Sequence, residues 1–156
     1  MKRFFLLISL FLGVALIPAA AQTAISLPNY VTPASAGQSV AAYWVPQYIS
    51  IDSACGAIRF VMVGYSSQAS YQAGAAPVQG AEHEYDNGNG SCPGSNYLQP
   101  SDNISSSVYA QYFSTATVAS LSQACVSAAM TVDDIPVPGS NPTTYESFFS
   151  GGTAVP

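Results

Sequence analysis

The chain has 156 residues, of which three are basic and eight acidic, and its mean hydropathy is positive. So much apolar content with so few charges excludes global disorder. An acidic chain nearly without lysine or arginine is also unsuited to follow a phosphate backbone or an anionic membrane surface, so nucleic acid is not an expected partner.

Residues 1–21 have the layout of a secretory signal peptide. Lys2 and Arg3 precede an apolar run from Phe4 to Ile17, Pro18 breaks it, and Ala19-Ala20-Ala21 supplies the small-residue cleavage pattern. The run is too short for a comfortable membrane span, and no second long one follows. The mature chain is therefore expected to lack a transmembrane segment and to be secreted, periplasmic or displayed at the cell surface. Cleavage leaves 135 residues, enough for one domain with its own core. Against eight carboxylates it leaves only Arg59 as a basic side chain, a formal charge of −7. The remaining polarity is Ser, Thr, Asn, Gln and Tyr, which predicts a flat stability profile from about pH 3 to 7.

Residues 22–38 read as an extended lead-in. "SVAAYWVPQYISI" at 39–51 is β-branched and aromatic, and Pro46 makes it an edge strand or two short strands. "DSACG" at 52–56 is a turn signal, and "AIRFVMVGY" at 57–65 is the best strand in the chain, apolar enough for burial on both faces. Together 39–65 predict a hairpin at the heart of the fold. Residues 66–80 read as a loop, 81–86 as a short strand and 87–96 as turn chemistry. The alternation in 106–114 predicts another strand. A short helix is expected near 116–124 and a strand near 125–132. There Val126, Ala128, Met130 and Val132 alternate with smaller or polar residues, and Asp133 and Asp134 would sit badly at a helix C-terminus. The tail, 136–156, is punctuated by Pro and Gly, with Tyr145, Phe148 and Phe149 available to dock it. The expected fold is mainly β: one domain over 39–135, a small antiparallel sandwich or open barrel with room for one short helix, stapled by a disulfide.

That disulfide follows from export. Of Cys55, Cys92 and Cys125, two are expected to pair in an oxidising compartment. Cys55–Cys92 is favoured because both lie near turns. It would close a loop of roughly 37 residues, worth about 3–4 kcal/mol. Cys125 is then a buried small hydrophobe or the bridge of a covalent dimer.

Polar chemistry is densest in "AEHEYDNGNGSCPGS", residues 81–95. On a strand Glu82, Glu84 and Asp86 share one face, about 7 Å apart, while His83 and Tyr85 take the other. With Asn87 and Asn89 the three acids offer oxygens of the kind calcium accepts, making calcium the one candidate cofactor. Gly88 and Gly90 contribute no side-chain oxygen, however, and the preferred reading is a solvated hairpin tip. A lone histidine is too few ligands for zinc or copper. No G-x-S-x-G elbow occurs. The Glu82/Glu84 spacing would suit glycoside hydrolysis, as any i, i+2 pair would, so no catalytic residue is assigned. Arg59, inside the strongest strand, needs a partner: one of the acids, or an anionic ligand that it clamps. Tyr85, Asn96 and Tyr97, with Arg59, form the candidate ligand-binding set, suited to a carbohydrate or protein surface. "NGS" at 89–91 and "NIS" at 103–105 match the N-glycosylation pattern. The composite expectation is a secreted or cell-surface, non-catalytic protein acting by binding or assembly. The alternatives are a cation-dependent or glycan-binding module on 82–89 and a small hydrolase using a carboxylate or His83.

Overall fold

The computed structural model describes residues 21–31, 40–87 and 103–156. The elements run β1 (Ala24–Val31), β2 (Val40–Asp52), β3 (Ala57–Tyr65), α1 (Gln68–Gln72), β4 (Glu82–Asp86) and α2 (Ser106–Tyr112). A 3₁₀ turn (Val118–Ser120), α3 (Leu121–Ala129), β5 (Ile135–Pro136), β6 (Tyr145–Glu146) and β7 (Thr153–Val155) complete the chain. Five strands form one antiparallel sheet in the order β4-β3-β2-β1-β7, and β5 and β6 make a separate two-stranded ribbon. The fold is mainly β, as expected. No helix among the described residues is long and apolar enough to cross a membrane. The signal-peptide reading falls on residues that, apart from Ala21, lie outside the described ones.

The expected hairpin is β2 and β3. Asp52 starts its turn by accepting the Ala54 amide on Oδ1 at 3.0 Å, and Gly56 supplies the positive φ of 71° that closes it. The strand residues sort by period two. Trp44, Ile58, Phe60 and Met62 face inward; Tyr43, Val45, Val63 and Tyr65 form a smaller cluster on the outer face. The apolar run in β3 is thus buried on both sides toward its end, as its composition predicts. Gly64 stands opposite Trp44, and a Cβ there would lie 2.8 Å from the Ala41 Cβ and 3.0 Å from Trp44 Cε2. The indole lies against a backbone that only glycine leaves open.

One irregularity interrupts the hairpin. Gln47 pairs with Val61 and Ser50 with Arg59, so Tyr48 and Ile49 together face the single residue Phe60. This is a β-bulge. Its first residue, Tyr48, has φ 53°, the only positive φ at a non-glycine among the described residues. After the bulge Ile49 and Ile51 pack toward the inner core, where an unbroken alternation would turn them outward. Pro46 lies just past the last β1–β2 pair, Ile25 with Trp44, where β2 pairs with β3 alone. The strand is therefore edge-like on that side, which accommodates the missing N–H.

The second layer is helical where a sandwich or barrel was expected to supply another sheet. α3 packs on β1 and β2 and buries Ala124, Cys125, Val126, Ala128 and Ala129. Phe148 and Phe149 meet Trp44 edge-on at 5.4 and 5.3 Å, and Phe60 stacks on Tyr85 at 4.9 Å. The residues read as a strand at 106–114 form α2, capped by Ser105, whose Oγ accepts the Val108 amide at 3.3 Å. The strand expected near 125–132 is the second half of α3. The lead-in is in part β1, paired on both sides by β2 and β7, and the expected loop at 66–80 contains α1. Phe148 and Phe149 dock the tail as expected, whereas Tyr145 is exposed. No disulfide joins two described cysteines: Cys125 is a free, buried thiol, and Cys92, the expected partner of Cys55, lies outside the described residues.

Candidate functional site

β4 is an outer strand of the sheet, and its pairing with β3 divides its chemistry. Glu82, Glu84 and Asp86 pair with Val63, Val61 and Arg59 on the outer face; His83 and Tyr85 pair with Met62 and Phe60 on the inner. The two faces are those the sequence predicts. Among the described residues no three His, Cys, Asp or Glu residues group as metal ligands. Glu84 is spent on Arg59, reaching the guanidinium Nε diagonally across the strand pair. The side chains are 53% exposed for Arg59 and 32% for Glu84, so the pair contributes at most about 1 kcal/mol. Asp86 is buried. Asn87 is structural: Oδ1 accepts the Ile58 amide at 3.0 Å and Nδ2 donates to the Gly56 carbonyl at 2.7 Å. Asn89 lies outside the described residues.

The inner face carries a polar knot that sequence reasoning missed. His83 Nε2 lies 2.6 Å from Asp134 Oδ2, and its ring stacks on Phe148 at 4.1 Å. The same Oδ2 accepts Asn103 Nδ2 at 3.2 Å, and Oδ1 accepts the Phe148 amide, also at 3.2 Å. One nearly buried carboxylate thus holds β4, the segment before α2 and the C-terminal segment together. Asn103 completes the knot by bonding along β4: Oδ1 accepts the Asp86 amide and Nδ2 donates to the Glu84 carbonyl. The nitrogen that a glycan would occupy in "NIS" is therefore bonded inside the fold. Tyr85 is fully buried, and its hydroxyl donates to the Ala129 carbonyl at 3.3 Å, where Ser147 Oγ also donates at 3.0 Å. These two side chains cap the C-terminus of α3. Burial first, and then the nearby Asp134, raise the Tyr85 phenol far above its ordinary value. Tyr85 is thus a core residue, not the groove residue expected. Asn96 and Tyr97, its companions in that set, lie outside the described residues. The knot fixes ring and carboxylate geometry firmly, and each of its members bridges segments of the fold.

The outer face carries the other aromatics. Tyr65 and Tyr43 contact Tyr71 of α1 at 5.0 and 5.6 Å, and Gln47 Nε2 donates to the Tyr65 hydroxyl at 2.7 Å. Tyr43 donates to the Pro156 carbonyl at 3.1 Å. Beyond this group Arg59 and Glu82 are exposed on the same face. Tyr48 is 75% exposed on its bulge, on the strand that pairs with Arg59 through Ser50. Neither the bulge nor Asp134 has a local sequence signature; the one available hint for Asp134 was a carboxylate pair placed just after an apolar helix. Compared with known proteins, the chain matches no family model, and no curated protein or solved structure shows significant similarity to it.

Proposed function

We propose that the mature chain is a secreted or cell-surface protein that acts by binding, without catalysis, and that the exposed surface around Tyr48 and Arg59 is its contact surface. The observation that carries this reading is Tyr48: a large aromatic, 75% exposed, held at a φ of 53° that glycine adopts far more readily. Backbone strain of this kind collects at recognition and switch sites. An exposed tyrosine with its backbone fixed offers flat contact area and a hydroxyl at little entropic loss. Arg59, half exposed and paired with Glu84, adds a charge whose direction is set. A bridge between Cys55 and Cys92 belongs to the same reading of an exported protein.

The test is a screen of the mature protein against an array of immobilised glycans and, separately, purified cell-envelope polysaccharides. Wild type, Tyr48→Gly and Arg59→Ala are compared. The expected result is one ligand class retained by wild type and lost by Tyr48→Gly while the melting temperature holds. Equal retention by wild type and both variants would remove that surface from consideration.

A further inference from the structure

The helical layer holds a second feature that the surface around Tyr48 does not explain. α2 and α3 do not close on each other along their whole length. Between them lies a cleft of about 240 Å³, open to solvent. The small residues Ala116 and Ala124 are part of its lining. Tyr112 forms one wall, its hydroxyl fixed by Thr131 Oγ1 at 2.9 Å. Gln111, Thr115 and Gln123 line the rest with side chains that make no hydrogen bond among the described residues. Ser120 lines it too, but its hydroxyl is occupied by Thr117.

The chemistry of this lining is selective. Residues 103–132 contain no Asp, Glu, Lys, Arg or His. A charged ligand would find no counterion among these residues. An apolar ligand would leave the exposed amides of Gln111 and Gln123 and the Thr115 hydroxyl unmatched. Each amide both donates and accepts, as does each hydroxyl, and that is the pattern a ring of sugar hydroxyls complements. The Tyr112 ring offers an apolar wall for the C–H face of such a ring. The cleft is smaller than the roughly 300–1,000 Å³ of pockets for drug-sized ligands, which limits the occupant to about one ring.

We infer that the α2–α3 cleft is a binding site for a single neutral sugar unit, free or at the end of a glycan. The site lies in the helical layer, is lined by neither Tyr48 nor Arg59, and does not depend on the reading of that surface. Saturation-transfer NMR on the mature protein tests it, with glucose, galactose, mannose and N-acetylglucosamine at about 10 mM, and glucuronate and glucosamine as charged controls. At least one neutral sugar is expected to give transfer, with the charged controls giving none. Titration of that sugar into Gln111→Ala/Gln123→Ala is expected to show affinity reduced at least about tenfold with an unchanged melting temperature, and Tyr48→Gly is expected to bind it as wild type does. The inference is overturned if no neutral sugar gives transfer, if the charged sugars bind equally well, or if the double variant binds like wild type. Loss of binding in Tyr48→Gly alone would assign the sugar to the surface around Tyr48 instead.

Discussion

Tyr48 and Asp134 illustrate how differently side chains are constrained here. Tyr48 holds a conformation that is unfavourable by about 1–2 kcal/mol for an L-residue and gains little from burial, being largely exposed. Replacing it by glycine relieves the strain and loosens the unfolded chain, two effects of similar size. Urea denaturation of Tyr48→Gly is expected to give a stability from equal to wild type to about 1 kcal/mol above it. A loss beyond about 1 kcal/mol would show that the ring supports the fold. Asp134 is the opposite case. Its two oxygens accept from His83, Asn103 and Phe148, so Asp134→Asn sets an amide against donors already in place. The expected loss is about 2 kcal/mol, measured against Glu82→Gln, exposed on the other face, which should lose almost nothing. The division of β4 into an acidic face and a His83/Tyr85 face was legible because it needs only a period of two. The partner of His83 was not, because it lies 51 residues away in the chain and nothing local to either residue announces the other.

Among the elements, β2 to β4 were readable and the helices were not, for one physical reason. The strands carry large β-branched and aromatic side chains whose alternation is marked. α2 and α3 are built from Ala, Ser, Gln and a few larger residues, so period two and period 3.6 fit them almost equally well. What decides for helix is tertiary: Cys125, Ala128 and Ala129 are buried against the sheet on one face of α3, and Ser105 caps α2. The aspartates that argued against a helix end at 125–132 do not oppose its dipole. α3 is capped at Met130, and Asp134 is already turned into the knot beside β4. Packing this tight has a titration consequence. Burial pushes the Cys125 thiol from 9.0 up to about 12 and raises the Tyr85 phenol from its ordinary 10.0. Both folded-state values lie above the unfolded ones, so the folded chain holds protons that the unfolded chain releases. The stability the two groups contribute is therefore complete below about pH 9 and declines as pH rises toward 12. Denaturation series between pH 8 and 11 should show a falling midpoint, and Cys125→Ala should make the fall shallower. An unchanged slope in that variant would mean the thiol is not the titrating group.

For the whole molecule, the sheet is a partition. Its inner side is packed by α3 and the C-terminal aromatics, and among the described residues its outer side carries the cluster around Tyr43, Tyr65 and Tyr71. Composition and patterning foretold a mainly β fold. They could not foretell that the second layer would be helical, because the residues that build that layer are too small to mark a face. The bulge in β2 has a last consequence, which concerns length and not composition. Removing one residue from a strand inside a sheet ordinarily turns every later side chain to the wrong face. Here the pairing of Gln47 with Val61 and of Ser50 with Arg59 leaves two residues in the place of one. Deleting Tyr48 outright would set Ile49 opposite Phe60 and keep Ser50 and Ile51 where they are. The strand is a regular one carrying a single inserted residue. A chain lacking Tyr48 is expected to fold with a melting temperature at or above that of wild type while binding nothing through the surface around Arg59, and a collapse of the fold on that deletion would show that the insertion is structural after all.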